Sequence, residues 1–186
     1  MAEKKKKKIN TYEITLTALF IAIITVCSWI SIPLSVPFTL QTFAVFSCLL
    51  FLGGKNGVIA ILGYILLGAV GVPVFSGFRG GLSALLGATG GYILGFLLTG
   101  LICWLLTAIF KDKTVIQILS LLLGLAACYA FGTAWFMYIY GQKTGPIGLT
   151  AALGMCVIPF IIPDLIKLLA AFFLVKKLKP IIQKNR

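Results

Sequence analysis

The stretch IGLTAALGMCVIPFIIPDLIKLLAAFFLV, residues 147–175, decides the class of this protein. It is apolar along almost its whole length, and Asp164 and Lys167 are its only charged residues. The hydrocarbon core of a bilayer holds no water, so an apolar run of this length is stable there as a helix that satisfies its own backbone groups. The stretch therefore predicts a membrane-spanning helix, interrupted at Pro159 and Pro163.

The rest of the chain has the same composition. Of its 186 residues, 60% are hydrophobic and only 11% are charged, whereas soluble domains carry about a quarter charged residues. A soluble domain of this length has too little interior to bury so much apolar surface. We therefore predict an all-α integral membrane protein with a single membrane domain.

The apolar segments predict six membrane helices, which we place at residues 14–32, 39–52, 57–70, 85–110, 114–140 and 147–178. The domain is thus predicted to span 14–178, between basic tails at 1–13 and 179–186. The first apolar segment is long enough to span and is interpreted as a retained helix rather than a signal peptide.

The second and third predicted helices are short, because about 20 residues are needed to cross a bilayer. Each adjoins an apolar segment rich in proline and glycine, at 30–38 and 71–81. Irregular backbone at membrane depth needs cover from protein or a water-filled cavity. We expect these two segments to fold over one end of the bundle and to form a pocket there.

Basic residues lie mostly on one side of this topology. The formal net charge is +12, and thirteen basic residues share a side: Lys4 to Lys8, Lys55, Lys111, Lys113, Lys176, Lys177, Lys179, Lys184 and Arg186. Only Arg79 and Lys143 lie on the other side. The positive-inside rule then predicts both termini in the cytoplasm, and it explains the charge better than a nucleic-acid partner does.

Several chemistries are excluded or disfavoured. The chain has no histidine, and its five cysteines are scattered, which excludes a His-ligated metal and a Ser-His or Cys-His pair. The phosphate-binding G-x-x-x-x-G-K-[ST] loop is missing, so energy for uphill transport has to come from another subunit. We expect neither an enzyme nor a cofactor or metal.

Asp164 is the one acid of four that falls inside an apolar run. A charge at membrane depth costs several kcal/mol unless it is paired or hydrated, and Lys167 lies on the same helical face three residues on. Pro163 predicts a fresh helical start or a kink, and Asp164 is then expected near a helix N-terminus, where its charge is favoured. Two interpretations remain: a pair facing a ligand cavity, or a salt bridge that only locks the helix.

Other candidates are less specific. Arg79 is either a second cation at the pocket mouth or a solvated loop charge. Five aromatic residues can line a pocket, although each also suits the core or the lipid belt: Phe38, Phe75, Phe78, Tyr92 and Trp135.

Two sets of small residues predict close helix packing. Gly87, Gly91 and Gly95 recur at four-residue spacing in the fourth predicted helix. Ala18 and Ala22 form a small face on the first, which can pack within the bundle or dock a partner helix. On the residues alone, internal packing is favoured.

Four motifs together resemble one known family. VPFTLQTFAV at 36–45, GVPVFSG at 71–77, GATGGYILGF at 87–96 and PDLIK at 163–167 occur in the order found in BioY, the biotin-specific substrate-binding component of energy-coupling factor (ECF) transporters. The resemblance covers nearly all of the chain after the lysine run. It implies a six-helix cell-membrane bundle of the prokaryotic type that binds biotin from outside with high affinity.

The resemblance also implies partners and site residues. The partners are a transmembrane coupling protein and two cytoplasmic ATPases, and Ala18 and Ala22 become the docking face for the former. The substrate-binding residues it implies are Asp164, Lys167, Arg79, Gln41, Phe75, Gly90, Gly91 and Tyr92. Asp164 is expected to accept from the ureido N–H groups, while the sequence leaves open whether Lys167 or Arg79 meets the carboxylate.

The chain departs from the family pattern at two places. Where the family usually has G-P-T-G-G-Y, this chain has Ala88 in place of the proline. Where the family usually has P-G-D, this chain has Ile162-Pro163-Asp164. Both changes are expected to move the pocket backbone slightly. The alternatives to a biotin-binding subunit are a component for another small vitamin, a self-sufficient carrier, and a structural membrane partner without a ligand.

Overall fold

The computed structural model describes residues 11–34, 36–110 and 113–184. The elements in chain order are α1 (Thr11–Trp29), β1 (Ser31–Ile32), β2 (Phe38–Thr39), α2 (Gln41–Ala69), α3 (Leu82–Leu85), α4 (Gly90–Phe110), α5 (Thr114–Thr144), α6 (Leu149–Cys156) and α7 (Ile158–Lys184). Lys4 to Lys8, Lys111 and Arg186, which contribute to the predicted orientation, lie outside the described residues.

Five helical spans among the described residues are long and apolar enough to cross a membrane: α1, α2, α4, α5, and α6 together with α7. The spans differ in burial. In the most apolar stretch of α2, 67% of the residues are buried inside the protein, whereas the corresponding share is 33% or less in each of the other spans. The helix α2 is therefore the centre of the bundle, and the other spans turn most of their surface outward to lipid.

The helix α2 consists of two helical arms, 41–52 and 54–69, because Gly53 between them has the non-helical angles φ 78° and ψ 168°. The side chains of Gln41 and Tyr64 are hydrogen-bonded at 2.9 Å, although 23 residues of straight helix would separate them by roughly 34 Å. The arms 41–52 and 54–69 therefore run back alongside each other. They confirm the two short helices predicted from the sequence, so six apolar segments form the bundle.

Gly53 offers a sharp test of this turn. Its dihedral angles fall in a region that only glycine adopts, so Gly53→Ala is expected to destabilise the fold by about 1–3 kcal/mol. Gly154 in α6 is the matched control: a methyl group meets no other atom within 4 Å at either position, but only Gly53 has a positive φ. Gly154→Ala is expected to be neutral or slightly stabilising. Thermal unfolding in detergent compares the two, and equal midpoints would contradict this account of the turn.

Two irregular segments close one end of the bundle, which we call the hairpin end. In residues 31–39, strands β1 and β2 pair antiparallel, with Ser31 opposite Thr39. In the segment 71–81, Phe75 and Arg79 form an isolated bridge. The last turn of α1 holds this second segment, because Ser28 Oγ donates to Val74 O at 2.5 Å and Trp29 Nε1 donates to Pro73 O at 2.9 Å. The predicted cover over one end of the bundle is thus present.

Several predicted helix boundaries differ from the structure, and three of these differences affect the shape of the bundle. The first helix ends at Trp29 rather than residue 32, because the chain then enters β1. The fourth helix begins at Gly90 rather than residue 85, after the short α3. The last span breaks at Val157, with φ −126° and ψ −57°, and α7 continues through Pro163 to Lys184. The C-terminal tail predicted from residue 179 is therefore helical as far as Lys184.

The predicted glycine face is confirmed in part. A methyl group on Gly95 would meet Cys128 Sγ at 2.6 Å, so α4 and α5 approach too closely there for any side chain. Gly91 packs in the same way against Trp135. Gly87 lies before the start of α4 and does not belong to this face.

Candidate functional site

The predicted pair of Asp164 and Lys167 forms a buried salt bridge. The two residues are 2% and 7% exposed, and Lys167 Nζ lies 2.9 Å from Asp164 Oδ1. Asp164 is the seventh residue of α7, so the prediction that it lies at a helix N-terminus is wrong. The helix dipole acts mainly within the first turn, so the carboxylate depends on side-chain donors instead.

Those donors come from three different helices. Asp164 Oδ1 accepts from Lys167 in α7 and from Thr42 Oγ1 in α2 at 2.8 Å. Asp164 Oδ2 accepts from Tyr129 OH in α5 at 2.6 Å. A carboxylate has about four acceptor sites, so three are occupied and one remains on Oδ2.

Lys167 is held equally firmly. Its ammonium donates to Thr39 O at 2.7 Å as well as to Asp164, and it lies 4.1 Å from the centre of the Phe38 ring. An ammonium has three donors, so one remains after these two bonds. Among the described residues, the pair thus leaves one acceptor position on Asp164 Oδ2 and one N–H of Lys167 without a hydrogen-bond partner, and it carries no net charge.

A cavity adjoins the pair. Asp164 and Lys167 both line it, and its void, counted with the open mouth, is about 760 Å³. Small-molecule sites are mostly apolar with a few convergent polar groups, and the lining of this cavity has that character. Of the two interpretations of the pair, the structure therefore supports a cavity wall rather than a sealed internal lock.

The apolar wall of the cavity comes from α4, α5, α6, α7 and the hairpin end. It includes Tyr92, Phe96, Leu125, Phe160 and Phe75. The ring of Tyr92 is fixed by a hydrogen bond of 2.9 Å between its hydroxyl and Thr133 Oγ1. Aromatic and aliphatic surface on several sides favours a ligand with an apolar body.

Gln41 joins the cavity to the segment 71–81. It lines the cavity, and its amide Nε2 donates to Tyr64 OH at 2.9 Å. Tyr64 OH in turn donates to Val74 O at 3.1 Å. This chain of bonds fixes the amide of Gln41 and leaves its carbonyl oxygen as a further acceptor for a ligand.

Arg79 lies at the mouth of the cavity. It lines the cavity although its side chain is exposed, and its Nε donates to Ser76 O at 3.1 Å. The described residues contain two acids, Glu13 and Asp164, and neither forms a salt bridge with Arg79. Since Asp164 and Lys167 neutralise each other, Arg79 is the charge that gives the cavity a positive mouth.

Some predicted residues do not line the cavity. Gly90 packs against the carbonyl of Leu85, and Gly91 packs against Trp135, so both serve the packing of α4.

Phe78 is 65% exposed and stacks on Trp29 at 4.9 Å. Trp135 donates from Nε1 to Gly87 O at 2.9 Å, and Phe38 faces Lys167. Among the five predicted aromatic residues, Phe75 and Tyr92 line the cavity.

Sequence reasoning missed Thr42 and Tyr129. Thr42 directly follows Gln41 in the motif at 36–45, while Tyr129 lies in the middle of the apolar helix α5. A buried charge needs hydrogen-bond donors, so hydroxyl groups at the depth of Asp164 were the signal available. The sequence does not reveal which of the many hydroxyl groups lie at that depth.

The alanines on α1 are separate from the cavity. Ala18 and Ala22 are exposed, and α1 packs along α2 with only part of its surface. Internal packing, which the residues alone favoured for this face, is therefore not observed. Small exposed residues four apart leave a flat strip on which another helix can approach closely.

Comparisons with known proteins place the chain among transport proteins. The sequence model of the BioY family matches residues 3–184. The biotin transporter BioY of Thermotoga maritima is 41% identical over 162 residues, covering 87% of this chain and 92% of the relative. A probable biotin transporter BioY of Pyrococcus horikoshii is 38% identical, covering 90% and 96%.

A solved structure has the same fold. It is the crystal structure of the S-component for biotin from an ECF-type ABC transporter. It superposes with a TM-score of 0.78 and covers 97% of this chain and 95% of its own, at 24% sequence identity. At that identity the match establishes the six-segment fold.

Proposed function

Because this chain belongs to the BioY family, we propose that it is the biotin-binding subunit of an ECF-type uptake transporter, a multi-pass protein of the cell membrane and not an enzyme. It captures biotin in the cavity beside Asp164 and Lys167 and delivers it with partner subunits. The observation that carries this proposal is the unused acceptor beside the unused donor on the buried pair.

A cyclic urea matches that arrangement. It presents N–H donors next to a carbonyl acceptor. The free site on Asp164 Oδ2 accepts one N–H, and the third proton of Lys167 donates to the ureido carbonyl. The carbonyl oxygen of Gln41 is available for the second N–H. Aromatic side chains such as Tyr92 and Phe96 then cover the apolar ring and chain of the vitamin.

The carboxylate of biotin is assigned to Arg79. Burying a carboxylate beside a pair that is already neutral would cost several kcal/mol. Arg79 lies at the mouth, where its guanidinium is not matched by an acid of the described chain. The neutral ureido end therefore enters first, and the charged end stays near water.

Energy for uptake is supplied by partners. We propose a transmembrane coupling protein that docks on the exposed strip of Ala18 and Ala22, together with two cytoplasmic ATPases. The hairpin end then faces outward, in agreement with the position of Lys55, Lys113, Lys176, Lys177 and Lys179 at the opposite end of the helices.

Titration calorimetry of the purified protein with biotin tests the binding step. We expect saturable, tight binding at one site, and the absence of binding would overturn the assignment of biotin as the ligand.

Reconstitution of the protein into liposomes tests the transport step. The chain alone is expected to bind biotin without sustained uphill accumulation, and accumulation driven by the chain alone would favour a self-sufficient carrier.

Tyr129→Phe is expected to weaken biotin binding about tenfold. It removes the 2.6 Å bond to Asp164 Oδ2 and leaves a buried carboxylate oxygen short of a donor, which costs about 1–3 kcal/mol. Tyr138→Phe is the matched control, because Tyr138 is 66% exposed. Calorimetry of both variants measures the difference, and unchanged affinity in Tyr129→Phe would show that the carboxylate does not need this donor.

A further inference from the structure

A second recess, which we call the side recess, opens beside the mouth of the cavity. Its void, counted with its opening, is about 450 Å³. It shares four lining residues with the cavity: Pro37, Arg79, Ala84 and Thr89. Because Arg79 borders both spaces, a group held by Arg79 lies where the cavity meets the side recess.

The remaining walls of the side recess do not touch the cavity. They come from the first irregular segment, from α3 and from the turn before α4, and they include Leu34, Ser83 and Ala88. Leu34 and Ser83 are exposed, so the side recess is open to the surface. The hydroxyl groups of Ser83 and Thr89 supply polar contacts along a mainly aliphatic wall.

We propose that the site also accepts biotin extended at its carboxyl group as an amide, with the extension lying in the side recess. This inference rests on the proposed function, and in particular on the ureido end entering first. The carboxyl carbon is then at Arg79, and atoms attached beyond it continue into the side recess rather than into the wall. The ligand class is biotin joined through an amide to a primary amine, as in ε-N-biotinyl-lysine.

The loss of the carboxylate charge is tolerable at this place. Arg79 is exposed, and an exposed ion pair contributes little to binding. The guanidinium can donate to the amide carbonyl instead. We therefore expect ε-N-biotinyl-lysine to bind within about tenfold of biotin. If the carboxylate instead lay beside Lys167, which lines the cavity but not the side recess, atoms attached to it would meet the cavity wall and the conjugate would be rejected.

The experiment compares biotin and ε-N-biotinyl-lysine by titration calorimetry on the purified full chain. An affinity ratio within about tenfold supports the inference, and a larger loss overturns it. The result is separable from the proposed function. If the protein binds biotin but rejects the conjugate, only the inference fails, whereas failure to bind biotin overturns the proposed function itself.

A variant tests the path of the extension. Ser83→Trp fills the side recess from a residue that does not line the cavity. It is expected to weaken the conjugate at least about tenfold more than biotin. Ala108→Trp, on an exposed position of α4 far from the hairpin end, is expected to change neither ligand. Equal effects of Ser83→Trp on the two ligands would show that the extension does not lie in the side recess.

A second variant, Leu34→Trp, fills the same recess from an exposed position. If Ser83→Trp loses biotin binding through misfolding, Leu34→Trp gives the decisive comparison of the two ligands.

Discussion

Asp164→Asn is expected to weaken biotin binding by at least about a hundredfold. The change removes the negative partner of a buried ammonium, and breaking a buried pair costs about 3–5 kcal/mol. Each 1.4 kcal/mol corresponds to a factor of ten in an equilibrium constant. The amide also offers an N–H group where the ureido needs an acceptor, so the loss concerns recognition as well as charge. Titration calorimetry with biotin measures the effect.

Two controls separate binding from folding in this experiment. Glu13→Gln makes the same chemical change at an exposed position of α1 and is expected to leave binding intact. The double variant Asp164→Asn/Lys167→Met removes both charges, so it is expected to recover thermal stability without recovering affinity. Biotin affinity like that of the unchanged protein in either Asp164 variant would show that the carboxylate is not the acceptor.

Ala18→Trp together with Ala22→Trp is expected to reduce transport by the complete transporter below about a tenth of its normal rate, while biotin binding stays unchanged. Small side chains let two helices approach closely, and two indole rings on this strip would hold a docking helix away from α1. Because the strip is exposed and lies outside the cavity lining, the cavity itself is not altered. Biotin uptake into proteoliposomes containing the partner subunits gives the rate, and calorimetry gives the affinity.

Ala126→Trp is the control for this pair of changes. It adds an indole ring to an exposed position of α5, away from α1, and is expected to leave uptake intact. Normal uptake by the double tryptophan variant would mean that the partner docks elsewhere. Loss of both uptake and binding would mean that the changes disturb the bundle, contrary to the exposure of Ala18 and Ala22.

The short helices show where prediction from sequence reached its limit. Hydropathy located both of them, and their length correctly indicated that they were unusual. It did not reveal that they meet at a single residue. Gly53 is one of twenty glycines, and its place between two helical arms, which the tertiary structure shows, identifies it as the turn.

The position of Asp164 in its helix shows a second limit. The sequence predicts that Pro163 either starts a helix or kinks one, because proline is favoured in the first turn and removes a hydrogen bond further along. In the structure α7 begins at Ile158 and tolerates Pro163 inside it. The carboxylate is satisfied by Thr42 and Tyr129, which are 122 and 35 residues away in the sequence. A local pattern carries no information about partners at such distances.

The sequence by itself determined that this chain is an integral membrane protein with six apolar segments. It also determined that Asp164 and Lys167 share one helical face. These properties follow from transfer free energies of single residues and from helix periodicity, which are local. The tertiary structure alone decided which hydroxyl groups bind Asp164, that the pair faces a cavity, and that Arg79 lies between two recesses. These depend on how distant helices pack, because a buried charge selects its donors by their position in space rather than their position in the chain.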